Sequence, residues 1–151
     1  MRNEHTPHPA VRLMARETVA LAIECSVPRV MTFAVFAATP TGDLSAAAAE
    51  ADALEALLLP RVPPTREVRT LRYVGTGEVA LGEPGPTLRR LLDDARARRF
   101  LAVLVRSPDA LGLTAARRSD VLRDLGASMV QVMTAAQVAG WPVRRALSGV
   151  R

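Results

Sequence analysis

Few side chains in this chain could carry out chemistry on their own. His5 and His8 lie three residues apart near the start, and no third metal ligand lies near them. Two histidines alone are too few donors for a metal site, so a solvated tail is the favoured interpretation. Cys25, the single cysteine, has no adjacent base or orienting group that would activate a nucleophile, so buried packing is favoured. We therefore expect neither a metal site nor cysteine-based catalysis.

Phosphate-binding motifs are incomplete. Gly75-Thr76-Gly77 begins a G-x-G pattern, but Ala80 occupies the third glycine position and no helix follows at once. The segment 37–42, AATPTG, is neither glycine-rich nor followed by Lys-Ser or Lys-Thr. We therefore expect no nucleotide and no other cofactor.

The adjacent acids Asp93 and Asp94 lie in an arginine-rich segment. Carboxylates and arginines about one helical turn apart form surface ion pairs, so we expect pairing with Arg90 and Arg98 rather than acid–base chemistry. Asp109 and Thr39 remain as candidate groups for a small-molecule enzyme, and nothing in the sequence orients them.

The basic charge is built from arginine alone. The 151-residue chain has a formal charge of +5, its 20 basic residues are all arginine, and aromatic residues make up only 3%. This scarcity of aromatic residues disfavours single-strand binding by base stacking. Residues 76–151 contain 12 arginines against 7 acids, so an electrostatic partner would meet the second half of the chain.

Nine arginines are candidates for nucleic-acid contact: Arg89, Arg90, Arg96, Arg98, Arg99, Arg117, Arg118, Arg144 and Arg145. The favoured alternative is that they face solvent and pair with Asp93, Asp94, Asp120 and Asp124. An arginine-only, alanine-rich composition is also typical of GC-rich codon usage.

The hydrophobic pattern predicts strands alternating with helices. We expect strands at 30–38, 67–74, 100–105 and 128–133, loops at 60–65 and 75–86, and helices at 10–26, 44–59, 87–98, 114–125 and, interrupted near Gly140, 134–147. Gly126 is the expected stop of the helix at 114–125. This alternation predicts a single three-layer α/β domain with a mostly parallel central sheet and helices on both faces. In such sheets the working site lies past the carboxyl ends of the strands.

The domain prediction has four parts: a flexible arm at 1–9, an N-terminal helix at 10–28, the α/β domain at 29–134 and a short C-terminal helix or tail at 135–151. The N-terminal helix has an apolar stripe formed by Val11, Met14, Leu21 and Cys25. Its own domain or another chain must cover this stripe, and a homodimer is the simplest version of the second case.

The sequence predicts no membrane helix and no secretion signal. No stretch approaches the roughly 18 apolar residues that a transmembrane helix needs, and the first residues lack the form of a signal peptide. A cytoplasmic location is therefore expected.

The segment 86–113, PTLRRLLDDARARRFLAVLVRSPDALGL, combines a leucine-patterned helix, an apolar strand and an aspartate-containing loop. It resembles the middle of the catalytic domain of serine recombinases, the resolvase/invertase family. The matching positions are Pro86, Leu88, Leu91, Leu92, Ala95, Arg96, Phe100, the strand 102–105, Asp109, Leu111 and Gly112. The order of elements across roughly residues 30–134 is similar as well, so the resemblance implies a resolvase-like fold.

The reactive positions of that family are replaced in this chain. In the family a serine attacks a DNA phosphodiester while arginines hold the phosphate oxygens. The resemblance places Ala37 at the nucleophile position and Val35, Gly85, Ala110 and Leu113 at arginine positions. Because alanine cannot attack phosphorus, the resemblance implies a pseudoenzyme that acts through protein contacts, as a homo-oligomer or with a partner protein, and that could be DNA-associated or regulatory. An α/β interaction module unrelated to recombinases, and a small-molecule enzyme at the strand-end crevice, are the alternatives.

Overall fold

The centre of the sheet is a strand that is buried on both faces. Residues 30–38 combine β-branched, aromatic and alanine side chains, a composition that suits such a strand. In the computed structural model, which describes residues 30–39, 43–75 and 83–144, they form β1 (Val30–Ala38). The five side chains from Phe33 to Ala37 are all buried.

Helices alternate with parallel strands along the rest of the described chain. The elements are α1 (Leu44–Leu58), β2 (Glu67–Gly75), α2 (Pro86–Arg96), β3 (Ala102–Val105), α3 (Ala115–Ala127), β4 (Gln131–Thr134) and α4 (Ala135–Ala139), with short 3-10 turns at Leu59–Arg61 and Pro108–Leu111. The strand order is β2-β1-β3-β4, and every pairing is parallel. The predicted α/β class with a parallel sheet is therefore confirmed.

Two apolar cores lie on opposite faces of this sheet. On one face, Val35 and Ala37 of β1 pack with buried side chains of α1 and α4. On the other face, Ala34 and Phe36 pack with buried side chains of α2 and α3. Alternate residues of β1 thus enter different cores, and helices cover both faces as predicted.

The end of α3 differs from the sequence prediction. Gly126 was the expected stop, but α3 continues through it to Ala127, and the left-handed residue that ends the helix is Met129, with φ of 61°. The amide of Met129 donates to Gly126 O, and the amide of Val130 donates to Leu125 O at 2.9 Å. These bonds form a Schellman motif, which stops a helix with any residue that accepts positive φ. β4 consequently begins at Gln131 rather than at residue 128.

Proline and glycine set the other boundaries. Gly85 is the N-cap of α2 and Pro86 is its first residue. Proline is well tolerated at this position because the amide that it lacks would have no partner within the helix. α4 is five residues long, and the chain from Gly140 to Arg144 is not helical. The amide of Arg144 donates to Pro60 O at 2.7 Å, which fixes this last segment beside the end of α1.

Several predictions lie outside the described residues. These are the arm at 1–9, the helix at 10–28 with its stripe (Val11, Met14, Leu21 and Cys25), most of the loop 75–86, and residues His5, His8 and Arg145. Among the residues that the structure describes, no helix is long and apolar enough to cross a membrane.

Candidate functional site

The carboxyl edge of the sheet, where the strands end, is the expected place for a site. β1 leads into Thr39, β2 ends at Gly75, β3 leads into Arg106 and β4 ends at Thr134. The chain moves from β1 to β2 on one side, then crosses over β1 to reach β3 on the other side. The ends of β1 and β3 therefore flank the point where the strand order reverses, which is where open α/β sheets bind ligands.

The two β1 positions that the resemblance assigns to recombinase chemistry are both buried. Val35 and Ala37 have no exposed surface, and both belong to the core beneath α1. Ala38 points to the opposite core and is only partly buried. The chemistry-bearing positions of β1 thus hold apolar side chains that make core contacts.

The other three positions that the resemblance assigns to arginines differ in how exposed they are. Gly85 is buried as the N-cap of α2, Ala110 is half-buried in the turn at Pro108–Leu111, and Leu113 is 58% exposed. Without a guanidinium at any of them, these positions offer a phosphate no charged contact.

The start of α1 is closed to a phosphate. The carboxylate of Asp43 accepts hydrogen bonds from the amides of Ser45 and Ala46 at 3.0 and 3.2 Å. These are the amides that would bind an anion at a helix N-terminus. A side-chain carboxylate already occupies them, which agrees with the absence of a nucleotide motif in the preceding loop.

The two side chains considered for small-molecule catalysis, Thr39 and Asp109, each contact residues close to them in the fold. Thr39 Oγ1 donates to the carbonyl of Asp43 at 3.5 Å. Asp109 has an 82% exposed side chain that lies 3.6 Å from Arg118. No contact joins Thr39 to Asp109, so the described residues give them no common reaction centre.

One cation at this edge is not among the residues predicted from the sequence. Arg106 immediately follows β3, and its Nε donates to Glu50 Oε1 of α1 at 3.1 Å. These residues are 56 positions apart, so only the crossover of the chain brings them together. The pair ties the end of β3 to α1, and Glu50 offsets the charge of the arginine.

Gly75 ends β2 beside the start of α2. Its φ is 155°, and a Cβ at this position would collide with Thr87 Oγ1. The carbonyl of Gly75 accepts the amide of Thr39 at 3.2 Å, which links the ends of β1 and β2. Gly75 therefore allows the end of β2 to approach Thr87 of α2 closely. This packing explains why a glycine stands here, and no phosphate-binding role is needed to explain it.

The acidic pair on α2 has different partners from those expected. Asp93 pairs with Arg96 at 2.9 Å, and Asp94 lies 3.5 Å from Arg99. The prediction of surface ion pairs is right, but the predicted partners Arg90 and Arg98 are wrong. A helix turn places Arg96 beside Asp93, while the chain reversal after α2 brings Arg99 back to Asp94.

Asp94 also accepts a hydrogen bond from a buried tyrosine. Tyr73 Oη lies 2.6 Å from Asp94 Oδ2, and the ring of Phe100 meets the tyrosine ring edge-on at 5.9 Å between centroids. Arg90 covers the tyrosine ring with its guanidinium carbon 5.2 Å from the centroid. Burial, followed by the hydrogen bond to Asp94, raises the pKa of Tyr73 above its ordinary value.

A second polar cluster joins α1 to β2. Arg72 donates to Glu55 Oε1 at 2.7 Å and to Asp52 Oδ1 at 2.5 Å, and Thr70 also donates to Glu55. The hydrogen bond from Arg72 holds the pKa of Glu55 below its ordinary value, against the opposing effect of burial. This cluster fixes the helix on the edge strand.

Three of the candidate nucleic-acid arginines have carboxylate partners among the described residues. Arg96 and Arg99 pair with acids of α2, and Arg96 also lies 3.9 Å from Asp124 of α3. Arg118 is held by the carbonyl of Gly112 at 3.1 Å as well as by Asp109.

Among the described residues, Arg89, Arg90 and Arg98 have no carboxylate contact. Arg89 donates to the carbonyl of Pro84 at 3.3 Å, Arg90 lies on Tyr73, and Arg98 has no side-chain hydrogen bond or ion pair to any described residue. The Arg117 amide is capped by Thr114 at 3.2 Å, and Arg144 is exposed. Pairing with the predicted acids is thus observed for Arg96 and Arg99, whereas Asp120 pairs with Arg123, which was not a candidate, and Arg145 lies outside the described residues.

Comparison of the chain with family models, with curated proteins and with solved structures yields no match.

Proposed function

We propose that this chain is a resolvase-like α/β domain without recombinase chemistry, which acts through protein contacts. The observation that carries the proposal is the burial of Val35 and Ala37 at the carboxyl end of β1. The resemblance assigns an arginine and a serine to these positions. In this chain both are part of the core under α1.

The order of elements also supports the proposal. A 15-residue helix follows β1, and the segment with the leucine pattern forms α2 and β3, as the resemblance implies. The leucines Leu88, Leu91 and Leu92 are buried against the sheet, so the apolar part of the match consists of residues that hold the fold together.

Loss of the reactive groups removes the means of phosphoryl transfer. A serine nucleophile breaks the phosphodiester, and arginines stabilise the charge that develops on the phosphate oxygens. Each such electrostatic contact is typically worth about 3 kcal/mol of transition-state stabilisation. We therefore expect a domain without the nucleophile and these contacts to act by binding other molecules at its surface.

Incubation of the full chain with supercoiled plasmid DNA tests the absence of chemistry. We expect no protein–DNA adduct on a denaturing gel and no nicked or linear plasmid. Ala37→Ser is the informative companion, because its hydroxyl would be buried under α1 and should also give no adduct. A covalent adduct with the wild-type chain would contradict the proposal.

We further propose a second copy of the chain as the partner. The support is the apolar stripe that the sequence predicts for residues 10–26, which requires a cover. Sedimentation velocity should show a dimer for the full chain and a monomer for Leu21→Glu, which places a charge on the stripe. Arg16→Glu, which lies off the stripe, is the control and should remain dimeric. A wild-type chain that stays monomeric at high concentration would contradict the homodimer.

A further inference from the structure

We propose that the opposite edge of the sheet, where the strands begin, binds a small organic anion: a carboxylate or phosphate group on an apolar body. The site is a cleft of about 300 Å³ lined by Thr32, Arg98, Arg99, Phe100, Ser128 and Met129, here called the amino-edge cleft. It lies away from the carboxyl edge, so its function is independent of the proposed loss of recombinase chemistry.

The topology explains why these residues meet. Each helix that follows a parallel strand runs back along the sheet, so α2 and α3 both end at the amino edge. Arg98 and Arg99 follow the end of α2, while Ser128 and Met129 follow the end of α3. Thr32, near the start of β1, completes the cleft between these two helix ends.

The charged groups that line the cleft are both cationic. The guanidinium of Arg98 makes no hydrogen bond or ion pair with any residue that the structure describes, while its backbone amide donates to Ala95 O at 3.0 Å. Arg99 has a 62% exposed side chain and only a long contact of 3.5 Å to Asp94. The carbonyls at the helix ends are occupied in part, since Asp94 O accepts the amide of Arg99 at 3.1 Å and Leu125 O accepts the amide of Val130. The cleft therefore favours an anion.

The rest of the lining suits an apolar body with a polar end. Phe100 is 5% exposed and forms an apolar wall, and Met129 is 77% exposed and offers an adaptable thioether side chain. The hydroxyls of Thr32 and Ser128 can donate hydrogen bonds to an anion. A volume of about 300 Å³ is at the small end of ligand pockets and suits a ligand with a single ring.

Backbone conformation provides a separate observation. Arg98 and Met129, with φ of 58° and 61°, are the two non-glycine residues in the left-handed region among the described residues, and both line this cleft. Glycine adopts this conformation at helix ends without strain. The chain instead places a cation and a thioether at these positions, and strained residues of this kind concentrate at binding sites.

Titration of the isotope-labelled full chain with phenyl phosphate and with benzoate tests the proposal by NMR. We expect saturable shifts of the Met129 methyl and Arg98 side-chain signals with both probes. Inorganic phosphate and benzyl alcohol each lack one half of the proposed ligand, so each should bind at least about tenfold more weakly, a factor that corresponds to one good contact. The ratio of the phosphate and carboxylate affinities identifies which anion the cleft prefers.

The variant Arg98→Gly separates binding from folding. Glycine relieves the left-handed strain, so the variant should unfold at the same or a higher temperature, yet its affinity for phenyl phosphate should fall about tenfold or more, as expected for loss of a charge-assisted hydrogen bond. Arg89→Gln removes the same charge from the exposed face of α2 outside the cleft and should bind like the wild type. Unchanged affinity in Arg98→Gly, equal binding of benzyl alcohol, or no saturable shift with either anion would overturn the proposal.

Discussion

Tyr73 connects the edge strand β2 to α2 through a single buried hydroxyl. It is the only tyrosine of the chain, and its hydrogen bond to Asp94 spans 21 positions of sequence. Tyr73→Phe removes the donor while preserving the ring contacts with Phe100 and Arg90. We expect the free energy of unfolding at neutral pH to fall by about 1.5–3 kcal/mol, as for a hydrogen bond to a charged group, measured by urea denaturation.

The same residue predicts a dependence of stability on high pH. The raised pKa of Tyr73 means that the folded chain keeps the phenolic proton after the unfolded chain has lost it. This contribution is fully present below the ordinary pKa of about 10 and is lost at up to about 1.4 kcal/mol per pH unit above it. Because the chain contains no lysine, few other groups titrate there. Tyr73→Phe should have a flatter stability profile above pH 10, and equal slopes in both proteins would contradict the argument.

Substitution of Ala37 tests whether the end of β1 is part of the hydrophobic core or has room for a functional side chain. The Ala37→Ser hydroxyl would have no exposure and would face apolar side chains of α1. Burial of an unpaired hydroxyl costs about 1–3 kcal/mol, so the variant should unfold at lower urea concentration. Ala38→Ser, at a partly exposed position, is the matched control and should change stability less. Equal stability of Ala37→Ser and the wild type would show that this position has room for a functional side chain.

The residues that the sequence analysis missed share one property. Arg106 and Glu50 are 56 positions apart, and Arg72 and Glu55 are 17 apart. Local patterns identify ion pairs within a helix, but such cross-element contacts depend on which strands become neighbours. The resemblance to recombinases assigns reactive groups to the positions of Val35 and Ala37, and the burial of these two residues follows from the alternation of β1 between two cores.

At the scale of the element, two residues near the end of α3 have backbone conformations that their residue types disfavour. Gly126 lies inside the helix with no atom within 4 Å of an added Cβ, while Met129 occupies the left-handed position after it. Gly126→Ala should raise the free energy of unfolding by about 0.5–1 kcal/mol through reduced backbone entropy.

Met129→Gly should also stabilise the chain. A left-handed conformation costs an L-residue about 1–2 kcal/mol. The larger backbone entropy that a glycine loses on folding opposes this gain by about 0.5–1 kcal/mol, so the net stabilisation should be up to about 1.5 kcal/mol. Thermal unfolding of each single variant and of the double variant checks the two effects and their sum. Destabilisation by Met129→Gly would mean that the methionine makes packing contacts that outweigh the strain.

The elements themselves could be predicted because their signals are local. The apolar run at 30–38 and the leucine spacing of α2 require only the periods of strand and helix, and both elements lie where the sequence predicts them. The end of α3 could not be predicted from Gly126, because the Schellman motif is fixed by backbone hydrogen bonds to Leu125 and Gly126 that any residue at 129 can make. The strand order, which creates both edges, is a property of the whole sheet.

At the scale of the whole molecule, the excess of arginine is partly neutralised within the fold. Arg96 and Arg99 of α2 have carboxylate partners, and Arg106 pairs across the sheet with Glu50. Among the described arginines of α2 and the turn after it, Arg89, Arg90 and Arg98 have no carboxylate contact. The count of 20 arginines therefore overstates how many guanidinium groups are open to a polyanion, since a paired guanidinium contributes less than an unpaired one.

This difference predicts how DNA association should respond to salt. Each arginine that neutralises a phosphate contributes about −0.9 to the slope of log K against log salt concentration. The double variant Arg89→Gln/Arg90→Gln should therefore reduce the magnitude of the slope by about 2 relative to the full wild-type chain, measured by fluorescence anisotropy with duplex DNA. Arg96→Gln, whose wild-type guanidinium is bound to Asp93, is the matched control and should leave the slope nearly unchanged. Equal effects of paired and unpaired arginines would show that DNA displaces the ion pairs of α2, and no binding at low salt would exclude DNA as a partner.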